Sequence, residues 1–129
     1  MRLLFDTHIV LAISERKRFA KHIELAPIVS GNHQRYVSAA SLWEIAIKQR
    51  IGKLQLAVAI EDLHVFLETI GIAILAIDAW HAIAELQTKP ATRDPFDRLL
   101  LAQCQVEGLR LVTFDRDLAS HPLAWHAPA

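Results

Sequence analysis

The sequence predicts a three-layer α/β/α fold, in which a central parallel sheet of about four to five strands lies between helices. Short apolar segments alternate along the chain with longer helix-forming segments, which is the pattern of a parallel sheet covered on both faces. Hydrophobic residues make up 53% of the sequence, enough for a full core without disulfides. The length suits one domain, so we expect residues 1–129 to fold as a single unit.

The first part of the chain contains two predicted strands, and a helical segment follows each of them. RLLF (2–5) is predicted to be a buried strand, and THIVLAIS, which follows Asp6, to be a helix. Residues 15–31 are helix-like but are interrupted by a proline and by the sequence SGN. RYVS (35–38) is the second predicted strand, and AASLWEIAIKQRIG is a helix that ends at Gly52.

The remainder of the chain repeats this alternation. AIEDLHVFLETIG is predicted to be a helix closed by Gly71, and IAIL (72–75) is the third strand. DAWHAIAEL is a helix for which Asp78 is a suitable N-cap. PFDRLLLAQCQVEG is a helix ended by Gly108, and LRLVTF (109–114) is the fourth strand before a short helical turn at DRDL.

Composition restricts the class of protein to which the chain can belong. The formal net charge is zero, and no cationic tract indicates a protein that holds long duplexes by phosphate contacts. The single cysteine, Cys104, lies among apolar residues and is interpreted as a small core residue. No apolar stretch approaches the roughly 20 residues of a membrane span, and the acid in the N-terminal apolar run makes a poor signal peptide. We therefore expect a cytoplasmic protein that does not interact with membranes.

Four acidic residues are predicted to meet at one edge of the sheet. Asp6 directly follows the first strand, and Asp115 directly follows the fourth. Glu44 lies about one turn into the helix after the second strand, and Asp97 lies in the first turn of the helix that leads into the fourth. Because clefts of parallel sheets lie beyond the carboxyl ends of the strands, all four acids can converge on one cleft.

Each of these acids also has a purely structural interpretation. Asp6 and Asp115 can each cap the helix that follows. Ser41 and Glu44 fit the S-x-x-E capping box, although the helix is predicted to begin earlier, near Ser38. The sequence alone leaves these alternatives open.

The stretch TRDPFDRLLLAQ assigns different roles to its two aspartates. Proline favours the first helical position, so Asp94 is the predicted N-cap and Pro95 the first residue of the helix. Asp97 then heads an apolar stripe that includes Leu100 and Leu101 and that is expected to face inward. A carboxylate in that position is costly unless something compensates its charge.

A cluster of four carboxylates predicts a divalent cation. Like charges raise one another's pKa values and repel, so the cluster is expected to destabilise the fold in the absence of a cation. Mg²⁺ and Mn²⁺ prefer hard oxygen ligands such as these. The seven histidines are scattered and show no zinc-like spacing.

The helix that carries Glu44 has a narrow polar stripe formed by Ser41, Glu44 and Lys48. This stripe is interpreted as part of the cleft, with an apolar side near Trp43 packed against another subunit. The alternative is a solvent-exposed stripe with a Glu44–Lys48 ion pair that contributes only about 0.2–0.5 kcal/mol.

Four motifs of the chain resemble those of a known family. They read LLFDTH at the start, VSAASLWEIAIK in the middle, RDPFDRLLLAQ later and LVTFDRDL near the end. In this order and at these spacings, the chain resembles the PIN-domain ribonucleases, and within them the VapC-type toxins of bacterial toxin–antitoxin pairs, over essentially its whole length. SLWEIAIK and DPFDRLL resemble one branch of small PIN proteins, which often carries histidine where His8 stands and where many other members have asparagine.

The resemblance implies a PIN-like nuclease fold and a role for each matching residue. It implies catalytic, metal-binding acids at Asp6, Glu44, Asp97 and Asp115. It implies supporting hydroxyl groups at Ser41 and Thr113. Two further acids match positions that vary more widely and rank second, Asp94 and Asp117.

The activity implied is that of a Mg²⁺- or Mn²⁺-dependent endoribonuclease acting on RNA. Lys48 and Arg98 are candidate contacts to the RNA phosphate groups. The expected partners are a cognate antitoxin protein and a second copy of the chain in a homodimer.

Other functions fit parts of the same pattern. A phospho-acceptor signalling domain needs a second acid beside Asp6 and a lysine near the last strand, but no lysine follows Lys89. A haloacid-dehalogenase-type phosphatase needs a D-x-D motif where this chain reads DTH. A housekeeping RNA-processing nuclease and a catalytically silent PIN fold used for binding remain open alternatives.

Overall fold

The computed structural model describes residues 1–126, and it contains a four-stranded parallel sheet. The strands are β1 (Arg2–Phe5), β2 (Gln34–Ser38), β3 (Ile72–Leu75) and β4 (Arg110–Val112), in the order β3-β2-β1-β4. The predicted α/β class and number of strands are confirmed. The register aligns Phe5 at the end of β1 with Val37 and Val112 on its neighbours. The carboxyl ends of three strands are therefore level at one edge of the sheet.

Eight α-helices and one 3₁₀ helix connect and follow the strands in the described part of the chain. The α-helices are α1 (Thr7–Ser14), α2 (Arg16–Ala20), α3 (Ala26–Ser30), α4 (Ala39–Arg50), α5 (Ile60–Thr69), α6 (Ala79–Ile83), α7 (Pro95–Glu107) and α8 (Arg116–Ala119). The 3₁₀ helix, Ile23–Leu25, lies between α2 and α3. Within residues 1–126, no helix combines the length and the apolar character needed to cross a membrane.

The core lies in two layers, one on each face of the sheet. Alternate residues of a strand point to opposite faces, so Leu3 and Phe5 join one layer and Leu4 joins the other. The first layer contains buried side chains from α1, α3, α4 and α5. The second is formed mainly by buried side chains of α7, together with Leu118 of α8. This arrangement confirms the predicted three-layer architecture.

The predicted ends of α6 and β4 lie beyond those in the structure. The helix α6 ends at Ile83, although the sequence pattern predicts that it continues to Leu86. The side-chain amide of Gln105 on α7 accepts a hydrogen bond from the backbone N–H of Gln87 and donates one to the carbonyl of Glu85. These two bonds hold the segment extended and replace the bonds of a continuing helix. β4 is also shorter than the predicted strand and ends at Val112.

Candidate metal centre

Asp6 is the most deeply buried acid at the carboxyl edge of the sheet, with 3% of its surface exposed. Its side chain caps α1, because Oδ1 accepts a hydrogen bond of 2.6 Å from the backbone N–H of Thr7. Its second oxygen, Oδ2, accepts a hydrogen bond of 2.7 Å from the hydroxyl of Thr113. The capping role foreseen as an alternative for Asp6 is therefore present, and it occupies one of the two carboxylate oxygens.

Thr113 connects Asp6 to Asp115. The backbone N–H of Asp115 donates to the Thr113 hydroxyl oxygen at 3.0 Å, while that hydroxyl donates to Asp6. Asp115 is exposed and caps α8, since its Oδ1 accepts from the backbone N–H of Asp117 at 2.8 Å. Asp117 itself is exposed in the first turn of α8. One hydroxyl thus fixes the positions of two acids that come from different strands.

A second threonine, Thr92, donates a hydrogen bond to Asp97 in the way that Thr113 does to Asp6. The N-cap of α7 is Asp94, whose Oδ1 accepts from the backbone N–H of Phe96 at 2.8 Å, as the position of Pro95 predicts. The backbone N–H of Asp94 donates to the hydroxyl oxygen of Thr92, and that hydroxyl donates to Oδ2 of Asp97 at 3.1 Å. Thr92 is not among the residues predicted from the sequence, and its position two residues before the N-cap is the only local signal of this contact.

Burial and neighbouring charges raise the pKa values of two of these acids. The pKa of Asp97 rises to about 6, mainly through burial, with further contributions from the charges of Asp94, Asp6 and Asp115 and an opposing one from the Thr92 hydrogen bond. The pKa of Asp6 also rises, mainly through burial, and the charge of Glu44 adds to this rise. Carboxylates that raise one another's pKa in this way lie within electrostatic range of each other.

Glu44 does not take part in capping α4. The N-cap of α4 is Ser38, whose hydroxyl oxygen accepts from the backbone N–H of Ala40 at 3.0 Å. Ser41 lies inside the helix, so the capping-box interpretation of Ser41 and Glu44 is wrong. The Ser41 hydroxyl is buried and accepts a hydrogen bond of 3.1 Å from Thr7, next to Asp6.

Glu44 faces the cleft rather than open solvent. Its side chain is only 13% exposed, and Oε2 lies 3.2 Å from Nζ of Lys48. A solvent-exposed stripe would leave Glu44 and Ser41 accessible, so this burial favours the interpretation of the stripe as part of the cleft. Lys48 is held at the rim of the acid cluster.

The acid cluster is looser than a closed cage of metal ligands. Among residues 1–126, no three of these four acids bring carboxylate oxygens within 4.8 Å of one another. Mg²⁺ usually keeps several of its waters and binds through one or two carboxylates, so it does not require a closed cage of protein ligands. The four acids offer only oxygen ligands, which suit Mg²⁺ or Mn²⁺. A cation would also neutralise the like charges that help to raise the pKa values of Asp6 and Asp97.

Without divalent metal, the contribution of Asp97 to the stability of the protein is expected to fall as the pH rises. Asp97 has an ordinary pKa of 3.8 when unfolded and about 6 when folded, so the folded state binds its proton more tightly. The resulting stabilisation is complete below about pH 4 and is lost as the pH rises through about 6. In EDTA, the melting temperature of the wild type should therefore fall relative to Asp97→Asn across this range, and Mg²⁺ should raise it most near pH 7.

The matched control for this measurement is Asp62→Asn, which removes an exposed carboxylate from the first turn of α5. Its melting temperature should follow that of the wild type at every pH. Parallel curves for the wild type and Asp97→Asn would show that Asp97 does not titrate in the folded state as described.

Arg98 does not lie with the acid cluster. It lines a different cleft, between α6 and α7, together with Glu85 and Lys89. Of the two candidate phosphate contacts, only Lys48 is placed beside an acid of the centre.

A second group of possible ligands, Asp78, His81 and Glu107, lies elsewhere and has a structural explanation. His81 is 2% exposed, and its Nδ1 accepts from the backbone N–H of Asp78, while Asp78 Oδ1 accepts from the backbone N–H of His81. Its Nε2 lies 3.1 Å from Oε1 of Glu107. Both ring nitrogens are therefore engaged in capping α6 and fastening it to α7. Glu107 is ten residues beyond Asp97, about 15 Å along the helix.

Comparisons with known proteins agree with the observed fold. The family model of the PIN domain matches residues 3–122. A solved structure of VapBC2 from Rickettsia felis, bound to a DNA fragment from its promoter, contains a chain similar to this one, with a TM-score of 0.63 and 17% sequence identity. The similarity covers 96% of each chain. No curated protein matches the sequence.

Proposed function

Because the chain belongs to the PIN domain family, we propose that it is a metal-dependent endoribonuclease that hydrolyses phosphodiester bonds of RNA. The observation that carries this proposal is the convergence of Asp6, Glu44, Asp97 and Asp115 at the carboxyl edge, where burial and mutual repulsion raise two pKa values. Residues 1–129 would act as a single nuclease domain. The resemblance of all four sequence motifs to PIN-domain ribonucleases supports the same reaction.

The proposed cofactor is Mg²⁺ or Mn²⁺. Asp6, Asp97 and Asp115 would hold the metal, and Glu44 would complete the site directly or through water. A cation bound there would lower the pKa of a coordinated water and would neutralise charge on the scissile phosphate.

The protein's own contribution is to hold the acids in fixed positions before the substrate binds. The Thr113 and Thr92 hydroxyls each donate to one oxygen of an acid, Asp6 and Asp97 respectively. Groups that are already oriented cost no reorganisation during the reaction. Glu44 would orient the attacking water, and Lys48 beside it would contact a phosphate oxygen. Asp94 and Asp117 would remain in structural roles at the starts of α7 and α8.

The proposed activity is tested by incubating the purified protein with a generic RNA of mixed sequence. Cleavage is expected with Mg²⁺ or Mn²⁺, and it should cease with EDTA and return when metal is restored. A preparation of Asp97→Asn, purified identically, reports any contaminating nuclease. Cleavage that persists in EDTA, or the absence of any metal-dependent cleavage, would contradict the proposal.

We further propose that the chain acts as the toxin of a toxin–antitoxin pair in the cytoplasm. The resemblance to VapC-type toxins and the structural similarity to a chain of the VapBC2 complex support this role. Expression of the protein is expected to arrest bacterial growth, and co-expression of a small protein encoded directly upstream should relieve the arrest. Growth without arrest, despite confirmed RNA cleavage, would favour a housekeeping RNA-processing nuclease.

A homodimer through the exposed side of α4 is also proposed. Trp43 is 61% exposed and contacts Phe96 of α7 edge to face, with ring centroids 5.6 Å apart. Ile51 at the end of α4 is similarly exposed. Exposed large apolar side chains are typical of association surfaces. Light scattering at micromolar concentration should give the mass of a dimer, and Trp43→Glu should lower it to that of a monomer. A monomeric wild type would contradict the dimer.

A further inference from the structure

A pocket of about 410 Å³ lies between α1, α2 and the segment that follows β4. Its apolar wall is formed by Leu11 and Ala12 of α1. The remaining walls carry aromatic and cationic side chains, including Arg18, Lys21 and Phe114. The volume lies at the small end of the range of about 300–1,000 Å³ that ligand pockets span, so it suits a small ligand.

Two aromatic rings in this pocket form a stacked pair. The rings of His22 and Phe114 lie 4.3 Å apart at their centroids, with an angle of 28° between their planes. Phe114 is nevertheless 39% exposed, although a phenylalanine side chain gains nothing from contact with water. The stack holds both rings in place and leaves aromatic surface accessible. Accessible aromatic faces of this kind are where proteins stack unpaired nucleobases.

Two cations stand beside the aromatic pair. Arg18 forms an ion pair with Glu15, with 2.9 Å between Nε and Oε2, which uses one edge of its guanidinium group. Lys21 also lines the pocket, and within residues 1–126 no acid lies within 4.0 Å of its ammonium group. Positive charge beside an aromatic surface matches the phosphate and the base of a nucleotide.

The pocket shares Asp115 with the acid cluster. Asp115 lines the pocket and also belongs to the candidate metal centre. His8 lines the pocket as well and lies close enough to Asp6 for their charges to interact. Phe114 lies between Thr113 and Asp115 in the chain. The hydrogen bond between these two neighbours therefore positions the aromatic ring next to the acid cluster.

We propose that this pocket binds the nucleotide adjacent to the scissile phosphate, stacking its base on the His22–Phe114 pair and contacting its phosphate with Lys21 and Arg18. The identity of the ligand as part of an RNA substrate depends on the proposed function. The pocket then determines which nucleotide the enzyme prefers beside the cleavage position, because stacking strength differs between bases.

The first test measures binding without catalysis. Adenosine 5′-monophosphate and ribose 5-phosphate are titrated in EDTA into isotopically labelled protein, with NMR chemical shifts as the readout. The nucleotide should bind more tightly than the sugar phosphate. Phe114→Leu should lower the affinity for the nucleotide about fivefold or more. This is the lower end of the loss in affinity expected when a stacking aromatic side chain is removed. Phe114→Trp should preserve binding, which keeps the test valid if the leucine variant folds poorly.

The matched control is Trp80→Leu, which removes an exposed aromatic side chain from α6. This variant should bind both ligands as the wild type does. Equal affinities of the wild type for the nucleotide and the sugar phosphate would overturn the proposal, because they would show a site for anions alone. Unchanged nucleotide binding by Phe114→Leu would overturn it as well.

The second test uses RNA that contains a single abasic position beside the cleavage site. Loss of the base should lower kcat/KM for the wild type about fivefold or more. The same loss should have little effect on Phe114→Leu, because the stacking is already absent. An equal penalty in both proteins would overturn the assignment of the pocket to the base. If the wild type does not cleave RNA at all, the proposed function fails, and the binding test still decides whether the pocket takes a nucleotide.

Discussion

Asp97→Asn is expected to reduce Mg²⁺-dependent RNA cleavage at least about 100-fold. Removing a residue that only orients a metal ligand costs up to about 100-fold in activity, so removing a ligand should cost at least as much. Asparagine keeps the size of the side chain and can still accept the hydrogen bond from Thr92. It removes the negative charge that the cation requires. It also removes the carboxylate whose pKa is raised to about 6, so the metal-free variant should be at least as stable as the wild type at neutral pH.

The control for this variant is Asp94→Asn, three residues earlier, at the N-cap of the same helix. Asparagine caps helices about as well as aspartate, so the bond to the Phe96 N–H and the stability of α7 should be retained. Activity should stay within a few-fold of the wild type. If the two variants lose equal activity, or if Asp97→Asn cleaves at the wild-type rate, Asp97 is not a metal-binding residue.

Thr113→Val is expected to lower kcat/KM about 10- to 100-fold, the usual cost of removing a group that orients a metal ligand. Valine has the shape of threonine without the hydroxyl. The variant therefore leaves Asp6 Oδ2 without its donor and the Asp115 N–H without its acceptor. Asp6 is nearly fully buried, so its carboxylate has little access to water as a replacement. The affinity for Mn²⁺, measured by titration calorimetry, should fall with the activity.

Thr69→Val provides the comparison, because it also removes one threonine hydrogen bond, to the carbonyl of Phe66 at the far end of α5. It should leave both activity and Mn²⁺ affinity unchanged. Thr92→Val should have a smaller effect than Thr113→Val, since Asp97 is less buried than Asp6. An unaltered Mn²⁺ affinity in Thr113→Val would contradict the orienting role of Thr113.

The edge of the sheet that carries the acids was predictable because its determinants are local in sequence. Asp6 and Asp115 follow strands directly, and the parallel arrangement then places them at the same edge. The N-cap at Asp94 was predictable because Pro95 fixes the first residue of α7, which makes Asp97 the third. Ser38 caps α4, at the predicted start of this helix, which leaves Glu44 free of the backbone.

Contacts between residues distant in sequence were not predictable. The group formed by Asp78, His81 and Glu107 depends on how α6 packs on the end of α7, and no local pattern reports that packing. Arg98, a candidate phosphate contact, lines the cleft between α6 and α7, and that cleft also depends on how these two helices pack. The His22–Phe114 pair joins residues 92 positions apart, so only the folded chain reveals it.

The most direct test of the metal centre is the anomalous scattering of Mn²⁺ in crystals of the protein grown or soaked with that ion. The anomalous difference density is expected to show a peak between Asp6, Asp97 and Asp115, with Glu44 close by, and this peak should be lost in Asp97→Asn. A peak only at Asp78, His81 and Glu107, or none at saturating Mn²⁺, would contradict the assignment of the acid cluster as the metal centre.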